Sequence, residues 1–419
     1  MRRGLLLRAY LALSRSFPLV APALLRRRLA RGKEHPDRWR EKVGLDLTAR
    51  PDGKLIWLNA VGLGEVLSLR GLIARMAEHD PDTHFMITST TRASAEVIHR
   101  NMPPRTFHQF LPIDAPRYRR RFLDHFHPDL CVWAEQDLWP GFVNELARRD
   151  IPQAMVAARM NDASYRSHVR ARALFRDLYG AMKVITAQDS RTAANLKSLG
   201  AADVTITGSL KPGAPVLACD AGQLSDLQTI LGNRFVWAVA PSHPADEDIA
   251  LAAHRTLREV VPGALLIIVP RYPERGVEIA ARCDPKPPLR SSGERPGTDD
   301  AVWICDTFGE LGLVYRLCMI VLIGGTFSDI EGHNPWEAAA LNTAIAHGPR
   351  VANFANDYAI LRDAEGAIPI TTADDLSDAL MKDDLTQRAV NAQAAVAKAA
   401  GETDALAARL MSLVGADHG

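Results

Sequence analysis

Leu55-Ile56-Trp57-Leu58-Asn59-Ala60-Val61-Gly62-Leu63-Gly64-Glu65 joins an apolar run to two closely spaced glycines and a carboxylate. The run 55–61 predicts a buried strand, and apolar residues at roughly 3.6-residue spacing over 66–76 predict a helix. The glycines therefore lie at a strand-to-helix turn, which is where open α/β sheets build their sites. The turn sets Glu65 at the start of the helix.

Two interpretations of this turn are open. A dinucleotide-binding fingerprint requires a third glycine at position 67, and Leu67 stands there, so the cofactor interpretation loses its main support. The simpler interpretation is that Glu65 complements the positive end of the helix, as acidic residues of a first turn often do. This stretch alone favours the simpler interpretation.

The chain has 419 residues, enough for two or three domains with substantial cores, and its formal net charge is +1. That charge is uneven, because residues 1–44 hold twelve Lys and Arg against three acids, a balance of +9 that leaves −8 for the rest. Five cysteines without Cys-x-x-Cys spacing indicate neither a disulfide framework nor a zinc site. A reducing, cytoplasmic setting is expected.

The basic segment contains an apolar stretch, 5–25, that is interrupted by Arg8, Arg15, Pro18 and Pro22. A spanning helix needs about twenty mostly apolar residues. We therefore expect a helix lying on an anionic membrane surface, ahead of a single-span anchor. A nucleic-acid arm ranks well behind both, because such an arm does not need the leucines of this stretch.

From Leu55 onward, predicted strands and helices alternate with short connections, the pattern of doubly wound parallel sheets. The stretch 208–215, rich in proline and glycine, predicts a linker between two Rossmann-like domains. We expect a basic amphipathic segment at 1–44, one domain at 45–210 and a second at 211–419 that ends in alanine-rich helices. The predicted strands are 55–61, 84–88, 129–134, 151–158, 182–187, 203–207, 234–240, 263–270, 301–305, 319–324 and 344–347.

Polar residues follow two predicted strands of the first domain. Glu135 and Asp137 come directly after strand 129–134, and Arg159 follows strand 151–158. The carboxyl ends of parallel strands form the edge where such sheets bind ligands. Site and scaffold roles are equally open for each carboxylate, and Arg159 either binds an anion or pairs with one of them.

Strands of the second predicted domain end in groups suited to phosphate. Ser242 and His243 follow one strand, and the helix that starts there offers backbone N–H donors beside the serine hydroxyl. Arg271 or Arg275, after the next strand, offers a bidentate clamp, although a surface role is more typical of Arg275.

A glycine turn extends this set. Gly325 permits close backbone approach, Asn334 is predicted to cap a helix with Pro335 at its first position, and Glu337 lies one turn further in. Such a helix start suits a phosphate, and Glu337 suits ribose hydroxyls. His333 fits a loop histidine equally well, and a metal interpretation has no partner at ligand spacing.

The chain resembles the 3-deoxy-D-manno-octulosonic acid (Kdo) transferases over nearly its whole length, because it has a set of short motifs in the order typical of that family. Each motif alone is weak, and the ordered set is specific. The stretches that carry the resemblance are 60–65, 90–91, 135–140, 158–160, 207–211, 270–275, 306–312 and 332–337.

The resemblance implies a GT-B glycosyltransferase, with two Rossmann-like domains facing a cleft and a membrane-associating helix at the N-terminus. It implies that Kdo moves from CMP-Kdo to a lipid A precursor, lipid IVA, with inversion and without a metal or other cofactor. It also implies attachment to the inner membrane at the cytoplasmic face and no nucleic-acid partner.

Roles for individual residues follow from the same resemblance. Glu65 becomes the general base, and the acceptor side or its support holds Asp137, Glu135 and Arg159. Lys211 and Arg271 would neutralise the phosphate of the leaving CMP or the donor carboxylate. The remaining donor-binding residues would be Ser242, His243, Gly325, Asn334 and Glu337.

The chain departs from the family pattern at four places. The family usually has serine at Gly62, glutamate at Asp137, histidine at Tyr272, and Thr-Met-Thr where this chain has Thr91-Arg92-Ala93. These changes fall mostly on the acceptor side or beside the phosphate clamp. Two alternatives therefore stay open: a paralogue that moves Kdo or a related ulosonic acid to another glycolipid or capsule acceptor, and a catalytically silent CMP-sugar-binding membrane protein.

Overall fold

The computed structural model describes residues 4–60, 63–100 and 102–414, and only the backbone of 63–66, 97 and 100. It divides the chain into two compact units. The first contains the residues up to Ala214 together with the segment from Ala399 onward, and the second contains Pro215–Lys398. Each unit is built around one parallel sheet with helices on its faces.

Within the described ranges, the first unit has a seven-stranded sheet in the order β3-β2-β1-β4-β5-β6-β7. All paired strands run parallel, with β1 between β2 and β4. Its strands are β1 (Leu55–Asn59), β2 (His84–Ser89), β3 (Thr106–Phe110), β4 (Leu130–Ala134), β5 (Gln153–Ala158), β6 (Val184–Ala187) and β7 (Thr205–Ile206).

Helices cover the first sheet, and large aromatic side chains fill the space beneath them. The Trp57 ring lies 5.1–5.4 Å from the rings of Phe122, Trp133 and Phe142, so residues of two strands and two helices form one packed cluster. The helices are α1 (Leu5–Leu13), α2 (Phe17–Ala30), α3 (Leu63–His79), α4 (Arg92–Arg100), α5 (Pro116–Phe126), α6 (Pro140–Arg148), α7 (Asp162–Arg170), α8 (Arg172–Tyr179) and α9 (Ser190–Ser198).

The second unit, whose residues are all described, has a six-stranded parallel sheet in the order β10-β9-β8-β11-β12-β13. This is the same order as that of the first six strands of the first sheet, β3-β2-β1-β4-β5-β6. Its strands are β8 (Val236–Ser242), β9 (Leu265–Pro270), β10 (Val302–Ile304), β11 (Ile320–Ile323), β12 (Ala344–His347) and β13 (Ala367–Pro369). Its helices are α10 (Ala221–Leu231), α11 (Pro244–Val260), α12 (Gly276–Ala280), α13 (Leu311–Leu317), α14 (Trp336–Ala339), α15 (Ala355–Asp363) and α16 (Ala373–Leu380), and α17 (Leu385–Met411) follows.

The prediction of two parallel α/β domains is confirmed. The sequence pattern does not predict β3 or β13, and both lie at the edge of a sheet. In β3 the alternation is weak because Thr106 and Phe107 are only half-buried, and β13 has just three residues. Edge strands are buried less evenly than central ones, so their sequences lack the continuous apolar run that marks a parallel strand.

The basic N-terminal segment packs onto the first unit. Leu7 of α1 is fully buried among the aromatic core residues, and the Tyr10 hydroxyl donates to Asp114 Oδ2 at 2.7 Å. Ala21 and Leu25 of α2 join a smaller apolar cluster around Tyr118. No described helix has the length and apolarity needed to cross a membrane.

The unit boundary and the C-terminal helix differ from the predicted domain limits. The break after Ala214 falls inside the stretch 208–215, four residues beyond the predicted limit at 210, so Lys211 belongs to the first unit. The alanine-rich tail forms one helix, α17. Its early residues Ala389 and Ala392 pack in the second unit, whereas Leu406 and Leu410 are buried in the core of the first.

Candidate active site

The first turn of α11, directly after β8, organises one edge of the second sheet. Ser242 and Glu247 are both fully buried, and the serine hydroxyl donates to Glu247 Oε1 at 3.0 Å. Arg275 donates to both oxygens of Glu247 at 2.7 and 2.9 Å. The hydroxyl of Ser242 thus binds a buried carboxylate, and Arg275 neutralises the charge of the same carboxylate.

Asp246, also fully buried, ties two loops together at this edge. Its Oδ2 accepts the backbone N–H of His243 at 2.9 Å and that of Gly325 at 2.7 Å. Burial raises the pKa of Asp246 to about 6, while backbone hydrogen bonds from Gly325, His243 and Phe327 oppose the shift. The Gly325 backbone is left-handed, with φ of 72°. A Cβ there would lie 2.8 Å from Ile330 and 3.2 Å from the His333 ring, so glycine is required.

His243 and His333 face each other across the two loops that Asp246 holds. Their rings lie edge to edge and nearly coplanar, with centroids 5.1 Å apart and planes 9° from parallel, and the two Nε2 atoms are 2.8 Å apart. Burial lowers the pKa of both imidazoles, that of His333 to about 4, and the charge of Arg271 lowers both further.

Arg271 follows β9 beside the histidines. Its backbone N–H donates to the Ser242 carbonyl at 3.0 Å, and its guanidinium carbon lies 5.7 Å from the centroid of the Tyr272 ring. The Tyr272 ring in turn meets His243 edge-on at 6.2 Å. Arg271 and Tyr272 are both exposed. This edge of the second unit therefore presents a guanidinium and two imidazoles together.

Asn334 and Glu337 adjoin the same loop. Asn334 Oδ1 accepts the backbone N–H of Trp336 at 3.2 Å, and its amide donates to Glu337 Oε1 at 3.1 Å. Burial raises the pKa of Glu337, and the amide hydrogen bond opposes the shift. The helix α14 has only four residues and starts at Trp336, so its dipole is much weaker than that of the 17-residue α11. Of the two helix starts expected to oppose negative charge, only that of α11 has the length to do so.

In the first unit, α3 begins with the backbone of 63–66, so Glu65 lies in the first turn of the helix that follows β1. Val61, Gly62 and the side chain of Glu65 lie outside the described residues. Lys211 starts a short 3₁₀ turn that packs directly on α3, since a Cβ on Gly71 would lie 1.9 Å from the Gly213 carbonyl oxygen. The turn that carries Lys211 thus contacts the helix that begins beside Glu65.

Asp137 lies in the loop after β4, held by one side chain of β1 and one of its own loop. Its Oδ2 accepts from Asn59 Nδ2 at 3.1 Å and from Trp139 Nε1 at 2.9 Å. Asn59 Oδ1 accepts from the buried Thr88 hydroxyl at 2.8 Å, which fixes the amide orientation. Burial raises the pKa of Asp137, and the two hydrogen bonds oppose the shift.

Glu135 and Arg159 follow β4 and β5 at the same sheet edge. Glu135 is left-handed, with φ of 54°, a conformation that costs non-glycine residues energy and is concentrated at functional sites. The Arg159 side chain is exposed, and its carbonyl accepts a hydrogen bond from the Gln136 amide. The loops after β4 and β5 are therefore joined to each other.

The predicted residues thus form two groups, each within one unit. The second unit gathers Ser242, His243, Arg271, Gly325, Asn334 and Glu337. The first unit holds Glu65, Glu135, Asp137, Arg159 and also Lys211, which the sequence assigned to the donor domain. Among the described residues, no three His, Cys, Asp or Glu side chains converge as a metal site.

Sequence reasoning missed Asp246 and Glu247. A signal for them exists, because two acids stand in the first turn of α11 after Pro244, the place where a capping carboxylate is common. That signal does not reveal that both carboxylates are buried and bond to other segments. His333 was weighed and left open, and its contact with His243 joins positions 90 residues apart.

Two doubly wound parallel sheets in one chain, each with polar side chains at its strand ends, are the architecture of the GT-B fold. Two solved structures have the same fold. MurG from Acinetobacter baumannii matches with a TM-score of 0.52, 11% identity, and coverage of 82% of this chain and 95% of that one. The UDP-GlcNAc 2-epimerase from Neisseria meningitidis, solved with UDP-GlcNAc, gives a TM-score of 0.55, 14% identity, and coverage of 86% and 100%. At these identities the likeness shows the fold alone.

Sequence comparison identifies the family. The family model described as 3-deoxy-D-manno-octulosonic-acid transferase matches residues 37–214. A Kdo transferase from Rickettsia bellii is 31% identical over 356 residues, covering 84% of this chain and 85% of that protein. A probable mitochondrial Kdo transferase from Arabidopsis thaliana is 31% identical over 369 residues, covering 85% and 83%, and one from Haemophilus influenzae is 28% identical over 338 residues, covering 79% of each. The chain belongs to the Kdo transferase family, and the resemblance seen in its motifs is confirmed.

Proposed function

We propose that the protein transfers Kdo from CMP-Kdo to a lipid A precursor, lipid IVA, by a single inverting displacement without a metal. The observation that carries the proposal is the group of cationic and protonatable side chains at the edge of the second sheet, in a chain of the Kdo transferase family. CMP-Kdo carries a phosphate and a carboxylate, and both are anions that such a group would bind.

On the donor side, each residue has a separate task. Arg271 would pair with the phosphate or carboxylate, and the N-terminus of α11 would add backbone N–H donors close to His243. Glu337, held by Asn334, would accept hydrogen bonds from the ribose hydroxyls. Ser242 would act indirectly, because its hydrogen bond to Glu247 would stabilise the turn that carries His243.

On the acceptor side, Glu65 would take the proton of a glucosamine hydroxyl as the oxygen attacks the anomeric carbon of Kdo. The new C–O bond forms as the bond to the CMP phosphate breaks, and CMP leaves with the electron pair. Attack from the face opposite CMP inverts the anomeric centre. Lys211, in the turn that packs on α3, would supply positive charge, while Asp137, Glu135 and Arg159 would support the acceptor loops.

The N-terminal helices support a membrane location, at the cytoplasmic face of the inner membrane. Their outward faces expose Leu5, Leu13 and Leu19 by 82%, 62% and 83%, together with Leu6, Val20 and Leu24. Arg8, Arg15, Arg26, Arg27, Arg31 and Lys33 are exposed beside them. Exposed leucines next to arginines suit a surface of anionic lipid headgroups.

The test is a transfer assay with the purified full-length protein, CMP-Kdo and lipid IVA. We expect CMP release and a lipid product that is heavier by one or more Kdo residues, with no loss of rate in EDTA. A panel of other glycolipids, run in parallel, identifies the acceptor by product mass. Binding of CMP-Kdo with no lipid product in any arm would refute the transfer reaction, and product from another acceptor alone would refute lipid IVA.

A further inference from the structure

We propose that His243 and His333 act as one proton-sharing unit, which takes up a single proton when an anionic cytidine nucleotide binds beside it. The inference rests on the proposed donor site and adds how that site obtains positive charge. The unit would be neutral in the free protein and cationic in the complex.

The geometry limits the charge that the two rings can carry. With Nε2 atoms 2.8 Å apart, only one hydrogen fits between them, so one nitrogen donates and the other accepts. Near-parallel rings allow this N–H···N bond in a neutral pair and equally in a pair with one extra proton on an Nδ1 atom. A second extra proton would place two N–H groups and two positive charges against each other. The pair therefore has two accessible charges, zero and +1.

The surroundings keep the free pair neutral. Arg271 faces both rings and Arg275 contributes at His243, and both cations disfavour protonation, whereas Glu247 favours it. Asp246 contacts the backbone of His243, Tyr272 contacts its ring edge, and the Tyr358 hydroxyl donates to the His333 carbonyl at 2.9 Å. Burial and Arg271 lower the pKa of both histidines, in agreement with a neutral pair near pH 7.

An anion at this edge reverses the balance. A phosphate or carboxylate beside Arg271 would offset its charge and would favour a cation on the adjoining rings. The proton comes from solvent as the nucleotide binds and returns to solvent as CMP leaves, so the catalytic cycle closes. Because the charge forms only in the complex, the free protein does not contain an unpaired buried cation, which would destabilise it.

Both rings are held in place before any ligand arrives. Asp246 bonds to the backbones of His243 and Gly325, and the His333 N–H donates to the Gly324 carbonyl at 3.2 Å. The two loops that carry the rings are therefore joined to each other before the nucleotide binds.

The experiment is calorimetric titration of the full-length protein with CMP at pH 7.5, in buffers of different ionisation enthalpy. The slope of the binding enthalpy against the ionisation enthalpy gives the number of protons taken up. We expect about one proton for the wild type and close to zero for His333→Asn and His243→Asn. The matched control is His125→Asn, an exposed histidine of the first unit, which should retain the wild-type value.

Each other outcome overturns the inference in a distinguishable way. CMP binding to the wild type without proton uptake refutes the proton-sharing unit and leaves the proposed donor standing. Failure of the folded protein to bind CMP refutes the donor and the inference together. Should the variants misfold, ¹⁵N-histidine NMR of the wild type decides instead: CMP must bring two coupled imidazoles to the singly protonated state, and unchanged ring nitrogens refute the unit.

Discussion

Asp137 in the first unit and Asp246 in the second are carboxylates at the edges of similar sheets, and burial raises the pKa of each. Their partners differ. Asp246 is fully buried and binds backbone N–H groups of two loops, whereas Asp137 is half-buried and binds the side chains of Asn59 and Trp139. In the second unit the carboxylate of Asp246 accepts backbone hydrogen bonds inside the protein, and the groups at the sheet edge are the imidazoles of His243 and His333 and the guanidinium of Arg271. One topology thus supports two different edges, and the difference lies in whether the aspartate binds backbone N–H groups or side chains.

The largest effect should come from removing the proposed base of the first unit. Glu65→Gln keeps the size of the side chain and abolishes its basicity, and we expect kcat to fall by about 10²–10⁴. Initial rates of CMP release measure this, with CMP binding as the control for an intact donor site. A loss of less than about tenfold would show that Glu65 is not the general base.

Next in size is the loss of the guanidinium at the edge of the second unit. Arg271→Ala should lower kcat/KM for CMP-Kdo by about 10², because one charged donor to the leaving phosphate disappears. Arg255→Ala, which removes an exposed arginine from α11 of the same unit, is the matched control and should keep the wild-type rate. Equal losses in both variants would point to the general charge of the unit and away from a specific contact.

The two carboxylates can be compared directly by stability. Asp246→Ala leaves the N–H groups of His243 and Gly325 without their acceptor in a buried position, and we expect a loss of about 2 kcal/mol. Asp137→Ala should cost about half as much, because its partners can turn toward water. Urea unfolding followed by tryptophan fluorescence measures both. The reverse order would contradict the distinction between backbone and side-chain partners.

The smallest effect is a pH dependence of stability. The folded pKa of Asp246, about 6, is above the ordinary value of 3.8 for an aspartate, so the folded state binds the proton more tightly than the unfolded chain. Its contribution is fully present below pH 3.8 and is lost as the pH rises through 6. Between pH 5 and 7 the wild type should lose about 1 kcal/mol relative to Asp246→Asn, which cannot titrate. Parallel stability curves for the two proteins would exclude this role of Asp246.

The central strands could be predicted from the sequence because strands buried on both faces, such as Leu265–Pro270, are continuous apolar runs. The location of Arg271 and Asn334 after strands or at a helix start followed from the same local pattern. The contact of His243 with His333 could not be predicted, since it depends on how two distant loops pack. The grouping of Lys211 with the first unit could not be predicted for a similar reason, because its turn packs against Gly71 of α3, a residue far away in the sequence.

The path of α17 has a consequence for how the protein is made. The core of the first unit includes Leu406 and Leu410 of α17, so its sequence is interrupted by the whole of Pro215–Lys398. A ribosome therefore finishes the second unit before it has supplied the last pieces of the first. Until α17 has been made, the apolar surface that it covers stays open, and a stop codon upstream of Leu406 would leave that surface of the first unit uncovered.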